Sequence, residues 1–241
     1  MAGKRGSRRD PGSHVPVNAP FRLFVTGTDT GVGKTEAACA LLSLLARRGL
    51  RPAAFKPYES GCQDLGAPSD ACALREAAKS EDGLDLISPH RFRLPIAPGV
   101  AAHRLRREPP FQKTLRAFKV FANRPLVVEG AGGLHVPIDS HREVIDLIQA
   151  LRLPVLLVAR AGLGTLNHTA LSLGALYRGG VAVRAVLLSC SSPQSDPSER
   201  DNPGWIEKRH GVRILGPVPF RAEPDRRRAA FQRALVSLLQ E

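Results

Sequence analysis

Residues Thr26-Gly27-Thr28-Asp29-Thr30-Gly31-Val32-Gly33-Lys34-Thr35 stand between an apolar run of strand type (Phe21, Leu23, Phe24, Val25) and a stretch with helical spacing. A strand, a glycine-rich loop and a helix in that order are what a phosphate-binding loop requires. Glycines let successive backbone N–H groups turn inward around an anion, and the following helix aims the positive end of its dipole at the same point. Lys34 adds a point charge for the β- and γ-phosphates, and the Thr35 hydroxyl suits Mg²⁺. The loop is longer than usual, with five residues instead of four between Gly27 and Gly33, and Thr28 fills the place where the first glycine normally stands.

Beyond the loop, strand-type apolar runs recur at residues 21–26, 51–56, 125–129, 154–159, 182–188 and 212–216. Helix-type spacing fills 34–48, 69–79, 110–122, 142–150, 164–178 and 227–240, and Gly49 and Gly179 stand where helix C-terminal glycines belong. This alternation predicts an α/β fold, a mainly parallel sheet with helices on both faces, in one domain over 21–241. Residues 191–204, rich in Ser, Pro and Asp, read as a loop. Ligands of such sheets gather at the carboxyl ends of the strands.

Composition excludes several classes. The formal net charge is +13, but only 7 of the 35 basic residues are Lys, which leaves 28 Arg spread along the whole chain. Dispersed arginine is a solvated surface rather than a polyanion-binding face, so nucleic acid is not an expected partner, despite clusters at Lys4 to Arg9, Arg104 to Arg107 and Arg226 to Arg228. No apolar run approaches the roughly 18 residues that cross a bilayer. Met1 to Pro20 lacks the apolar centre of a secretory signal and is expected to be a disordered basic leader. Cys39, Cys62, Cys72 and Cys190 show no metal spacing and read as reduced thiols of a cytoplasmic protein.

The strand ends select the polar residues that matter. Ala53-Ala54-Phe55 runs into Lys56-Pro57, and a lysine at the tip of a buried strand is poorly placed for surface duty but well placed to neutralise a transferring phosphoryl group. Leu126-Val127-Val128 ends in Glu129-Gly130-Ala131-Gly132-Gly133, a carboxylate at a strand tip of the kind that holds Mg²⁺ beside a phosphate loop. Asp70, in Pro68-Ser69-Asp70-Ala71, is a further carboxylate candidate, read equally well as a first-turn helix acid.

Taken together, G-T-D-T-G-V-G-K-T, A-F-K-P-Y-E-S-G, P-S-D-A, V-V-E-G-A-G-G and L-G-T-L-N-H resemble the dethiobiotin synthetases, in order and at compatible spacing over about residues 21–222. The resemblance implies an ATP- and Mg²⁺-dependent ring closure in biotin biosynthesis. In it, 7,8-diaminononanoate takes up CO₂ as a carbamate, ATP phosphorylates the carbamate, and the second amine displaces phosphate to close the cyclic urea. It further implies that Gly31, Val32, Gly33, Lys34, Thr35 and Glu36 hold the nucleotide, with Asp70, Glu129, Gly130, Ala131 and Gly132 beside it and Ser189, Pro219, Phe220 and Arg221 around the base. Thr35, Asp70 and Glu129 would hold Mg²⁺, and Lys34 and Lys56 would be catalytic. Thr30 and Ser60 would meet the substrate. Gly164, Thr165, Leu166 and Asn167, at a helix N-terminus, would bind the substrate carboxylate in the active site of a neighbouring subunit, so a homodimer is implied.

Three positions depart from that family's pattern: Gly31 replaces a glutamate, Gly99 a frequent histidine, and Ser189 an asparagine that reads adenine. Looser base selection is expected from Ser189. Two other classes share the fold. A cobyrinate-type amide synthetase carries a C-terminal glutaminase domain, for which 241 residues leave no expected room. A partitioning-type ATPase uses an extra lysine ahead of Gly33, where Asp29 and Thr30 stand here.

Overall fold

A computed structural model describes residues 20–240, so all of the expected leader except Pro20 lies outside the described residues. In chain order the elements are β1 (Arg22–Gly27), α1 (Lys34–Arg47), β2 (Ala53–Phe55), β3 (Tyr58–Ser60), α2 (Ser69–Ala78), α3 (Leu84–Ile87), β4 (His90–Phe92), α4 (Pro98–Arg104) and α5 (Phe111–Val120). There follow β5 (Leu126–Glu129), α6 (Val144–Leu151), β6 (Val155–Arg160), α7 (Thr165–Arg178), β7 (Val183–Ser189), α8 (Asn202–His210), β8 (Ile214–Val218) and α9 (Pro224–Leu235).

Six strands form one sheet in the order β2-β5-β1-β6-β7-β8, every pair parallel. A parallel strand covered on both faces must be apolar on both, which is why these segments read as continuous runs rather than alternations. Along β1 the side chains still part by turns: Leu23 and Val25 enter a core layer with α1, α2 and α9, whereas Phe24 enters the opposite layer with α6, α7 and α8. Helix α1 meets its layer through Ala37, Ala38, Leu41, Leu42 and Leu45, the three-and-four spacing of an amphipathic helix. With β1 central and flanked by β5 and β6, the loop leaving its carboxyl end lies over the middle of the sheet edge.

All six strand-type runs of the sequence lie in this sheet, with small boundary differences. The differences elsewhere have local causes. β3 and β4 form a separate two-stranded parallel sheet, and their sequences, Tyr-Glu-Ser and His-Arg-Phe, are too short and mixed to show a period. Helices α3 and α4 are short as well, with four and seven residues. Residues 191–204 are not loop throughout, because a 3₁₀ turn occupies Pro197–Glu199 and α8 begins at Asn202, its Pro203 tolerated in a first turn that needs no N–H there. Gly179 ends α7 at an ordinary φ of −77°, and it is Gly180 that turns left-handed at φ 68°. The last helix starts at Pro224, earlier than its apolar spacing predicts, since Glu223 caps its first turn by accepting from the N–H groups of Asp225 and Arg226.

Candidate active site

The loop between β1 and α1 is folded over itself. Gly33 is the residue before α1 and has φ 101°, and a Cβ there would come within 3.0 Å of the Phe231 ring. Lys34 Nζ donates to the Asp29 carbonyl at 2.7 Å, the Thr28 N–H donates to Val158 O at 2.9 Å, and Arg160 pairs with the Asp29 carboxylate at 2.9 Å. Burial, helped by repulsion from Lys56, lowers the Lys34 pKa to about 8, against the pull of Glu129, Asp29 and Asp70.

Register explains the next contact. Phe55 of β2 lies opposite Val128 of β5, so the residues that follow, Lys56 and Glu129, leave neighbouring strand tips side by side. Lys56 is buried, and its Nζ meets Glu129 Oε1 at 2.5 Å and Asp70 Oδ2 at 2.7 Å. Thr35 Oγ1 donates to the same Glu129 Oε1 at 2.8 Å. Burial by itself would discharge Lys56, but Glu129 and Asp70 overcome it and hold the ammonium above the usual lysine range. Burial also pushes the Glu129 carboxyl upward, while Lys56 and Thr35 stabilise its charged form. The other oxygen, Glu129 Oε2, is buried with no partner. Asp70, the second residue of α2, is brought to Lys56 by its helix, whose first turn is bonded to Glu59 of β3.

These groups share a cleft of about 570 Å³ whose lining includes Thr30, Gly31, Gly33, Lys34, Thr35, Glu36, Lys56, Glu59, Ser60, Asp70, Glu129, Ala131 and Gly132. A smaller recess of about 190 Å³ adjoins it, sharing Gly31, Gly33 and Glu36, and is lined further by Val32, Ser189, Pro219, Phe220 and Arg221. Cys190 and Ser191 complete one side of it, and α9 supplies another, where Arg227 pairs with Glu36 at 3.0 Å and Phe231 lies beneath Gly33. Gly130 borders neither cavity: its N–H donates to Val25 O, and a Cβ there would meet the Phe24 ring at 3.0 Å, so it is closely packed at the strand exit.

Gly164, Thr165, Leu166 and Asn167 also stand away from both cavities. Thr165 is buried with its hydroxyl on Thr169 at 3.2 Å, whereas Leu166 and Asn167 are exposed at the start of α7. Three residues of the site escaped the sequence reading. Glu59 looks like a surface acid in a short polar strand, and Arg227 and Phe231 come from a helix some 190 residues downstream of the loop they support.

The family model described as an AAA domain matches residues 22–228. ATP-dependent dethiobiotin synthetase BioD of Anaeromyxobacter sp. (strain K) is 46% identical over 219 residues, which are 90% of this chain and 96% of that protein. The chain belongs to the dethiobiotin synthetase family. Proteins of the same name from Thermodesulfovibrio yellowstonii and Bacillus subtilis are 38% and 34% identical over 83% and 82% of this chain, and over 89% and 86% of their own lengths. Among solved structures, the signal recognition particle receptor FtsY of Elizabethkingia anophelis overlays 91% of the chain and 68% of its own at a TM-score of 0.48 and 15% identity, too loose a likeness to bear on function. Within the family pattern, Gly99 now has a physical reason. A Cβ at that position of α4 would lie 2.8 Å from the Asp139 carbonyl, so no histidine fits where this backbone runs.

Proposed function

We propose that the protein converts 7,8-diaminononanoate, CO₂ and ATP into dethiobiotin, ADP and phosphate. The observation that carries this reading is the convergence of Lys34, Lys56, Thr35, Asp70 and Glu129 on one cleft opening from the phosphate loop, in a chain of this family. The loop between β1 and α1 takes the triphosphate, and the adjoining recess, next to Ser189 and Pro219, takes the base. Lys34 and Lys56 supply fixed positive charge where the phosphoryl group passes to the carbamate oxygen, and Lys56 keeps that charge at neutral pH because two carboxylates hold its proton. The carbamic-phosphoric anhydride so formed loses phosphate when the second amine attacks its carbon. Ser60 and Thr30 line the same cleft and orient the diamine.

The donor set fits Mg²⁺: Thr35 Oγ1, Asp70 and Glu129 are hard oxygen ligands, and the partnerless buried Glu129 Oε2 is an atom that such an ion would satisfy. When bound, Mg²⁺ neutralises part of the phosphate charge. A homodimer is supported by apolar side chains left in solvent on α7 and the turn before it, namely Leu163 and Leu166 at the helix start that would take a substrate carboxylate, and Leu171 and Tyr177 further along the helix. Cys39, Cys62, Cys72 and Cys190 are unpaired, and among the described residues no helix is long and apolar enough to cross a membrane, which accords with a cytoplasmic biosynthetic enzyme.

The test supplies the purified protein with ATP, Mg²⁺, bicarbonate and 7,8-diaminononanoate and follows dethiobiotin by mass spectrometry beside phosphate release. Equal amounts of both are expected. Phosphate without dethiobiotin, or no turnover, would overturn the reading.

A further inference from the structure

Helix α2 carries Asp70, yet it begins without a cap of its own. Its N-cap position is Pro68, which has no side-chain acceptor, so the N–H groups of the first turn need partners from elsewhere. Glu59 provides them from another element. Its Oε1 accepts from Asp70 N at 2.8 Å and its Oε2 from Ala71 N at 3.1 Å, and the side chain is buried with 3% of its surface exposed. These are the second and third helical residues, the same N–H groups that a local Ser or Asp cap would take. A carboxylate there also opposes the positive end of the helix dipole.

Position in the chain makes this contact consequential. Lys56 ends the approach from β2, Glu59 follows three residues later in β3, and the residue whose N–H Glu59 holds is itself the partner of Lys56 at 2.7 Å. One short segment thus fixes both members of the Lys56–Asp70 pair, the lysine through its backbone and the aspartate through the helix.

We infer that Glu59 is a positioning residue: by capping α2 from β3 it sets Asp70 against Lys56 and so holds the charged trio Lys56, Asp70 and Glu129 ready for the phosphoryl group. The inference rests on the proposed synthetase reading for its kinetic part and on geometry alone for the cap.

The experiment uses the full chain with Glu59→Ala, Glu59→Gln, Asp70→Ala and the double variant Glu59→Ala/Asp70→Ala. Hydrogen–deuterium exchange over residues 66–78 reads the cap without reference to activity. Loss of a helix cap corresponds to roughly 2- to 30-fold in local opening, so exchange at the first turn should rise about tenfold in Glu59→Ala and less in Glu59→Gln, which keeps one acceptor oxygen. With saturating ATP, Mg²⁺, bicarbonate and diamine, Glu59→Ala should lower kcat by about tenfold or more with little change in the KM for ATP, because the triphosphate loop is untouched. Adding Glu59→Ala to Asp70→Ala should lower kcat no further, since both act through one contact. Multiplied effects in the double variant would overturn the positioning role, and unchanged exchange in Glu59→Ala would overturn the cap. If the wild type makes no dethiobiotin, the synthetase reading fails while the exchange result still decides the cap. A Glu59→Ala protein unfolded throughout leaves Glu59→Gln to decide: wild-type exchange and kcat there would overturn the proposal.

Discussion

Replacing Lys56 by Met removes a charge and keeps most of the apolar stem, which isolates the electrostatic part of the site. Two carboxylates then lose their counter-ion. Breaking a buried ion pair costs about 3–5 kcal/mol, because the remaining charge is left uncompensated. Glu129, 1% exposed at its side chain, carries that penalty nearly in full, whereas Asp70, 35% exposed, is screened and adds at most about 1 kcal/mol. A loss of about 3–6 kcal/mol lowers Tm by about 6–24 °C for a chain of this size. The loss should depend on pH with a definite sign. Without Lys56 the folded-state pKa of Glu129 moves further above the unfolded value of roughly 4.3, so the unfolded chain ionises first as pH rises. Below that unfolded pKa both states are protonated and the variant suffers little; above it stability falls until the raised folded-state pKa is passed. Thermal melts at pH 5, 6, 7 and 8 should therefore show a gap between wild type and variant that widens with pH to a plateau. Glu129→Gln added to Lys56→Met should recover most of the stability, since the buried group is then neutral, but none of the activity, because loss of a well-placed charge costs ~3 kcal/mol or more in the transition state, a hundredfold or greater fall in kcat. Equal melting temperatures at pH 7, or a gap independent of pH, would refute the claim that Lys56 is held as a buried ammonium by these carboxylates.

Lys34, with its pKa lowered to about 8, should take up a proton when phosphates bind, so titration calorimetry at pH 8.5 in buffers of different ionisation enthalpy should show proton uptake and an ATP affinity falling up to about tenfold per pH unit above 8; an absence of uptake argues that Lys34 is already charged. Glu129→Gln and Asp70→Asn should raise the Mg²⁺ concentration for half-maximal activity before they alter the diamine KM, and the reverse order of effects would place both on the substrate. Ser189 offers one hydroxyl where an asparagine amide both donates and accepts, so the wild type should use GTP or CTP readily and Ser189→Asn should raise the ATP preference in kcat/KM by about tenfold or more; a strong ATP preference unaltered by the substitution would move base reading to the backbone near Pro219 to Arg221. Leu171, 65% exposed on α7, should be covered in a dimer, so Leu171→Arg should convert a dimer to a monomer by light scattering, and a wild type already monomeric would remove the cross-subunit site from the scheme.

What could be read from the chain alone was the chemistry carried by contiguous residues. The phosphate loop announces itself because its glycines, lysine and threonine act within ten positions, and the six sheet strands do so because parallel strands are apolar on both faces. Lys56 stood out through its position at a strand tip next to Pro57. Glu129 and Asp70 stood out as carboxylates, but their pairing with Lys56 did not, since the contact with Glu129 depends on the Phe55 to Val128 register, and pairing register between segments some 70 residues apart leaves no local trace. The same reasoning covers the supports of the site. Phe231 under Gly33 and Arg227 on Glu36 are ordinary members of an arginine-rich helix until the fold brings α9 against α1. Glu59 is the sharpest case, because the clue lay in a residue other than itself: a helix whose N-cap position is proline must find its acceptor at a distance, and Pro68 ahead of Ser69-Asp70-Ala71 poses that requirement in the sequence. A missing local partner is therefore as informative as a motif, and here it leads from a bare helix start to the carboxylate that steadies Asp70 against Lys56.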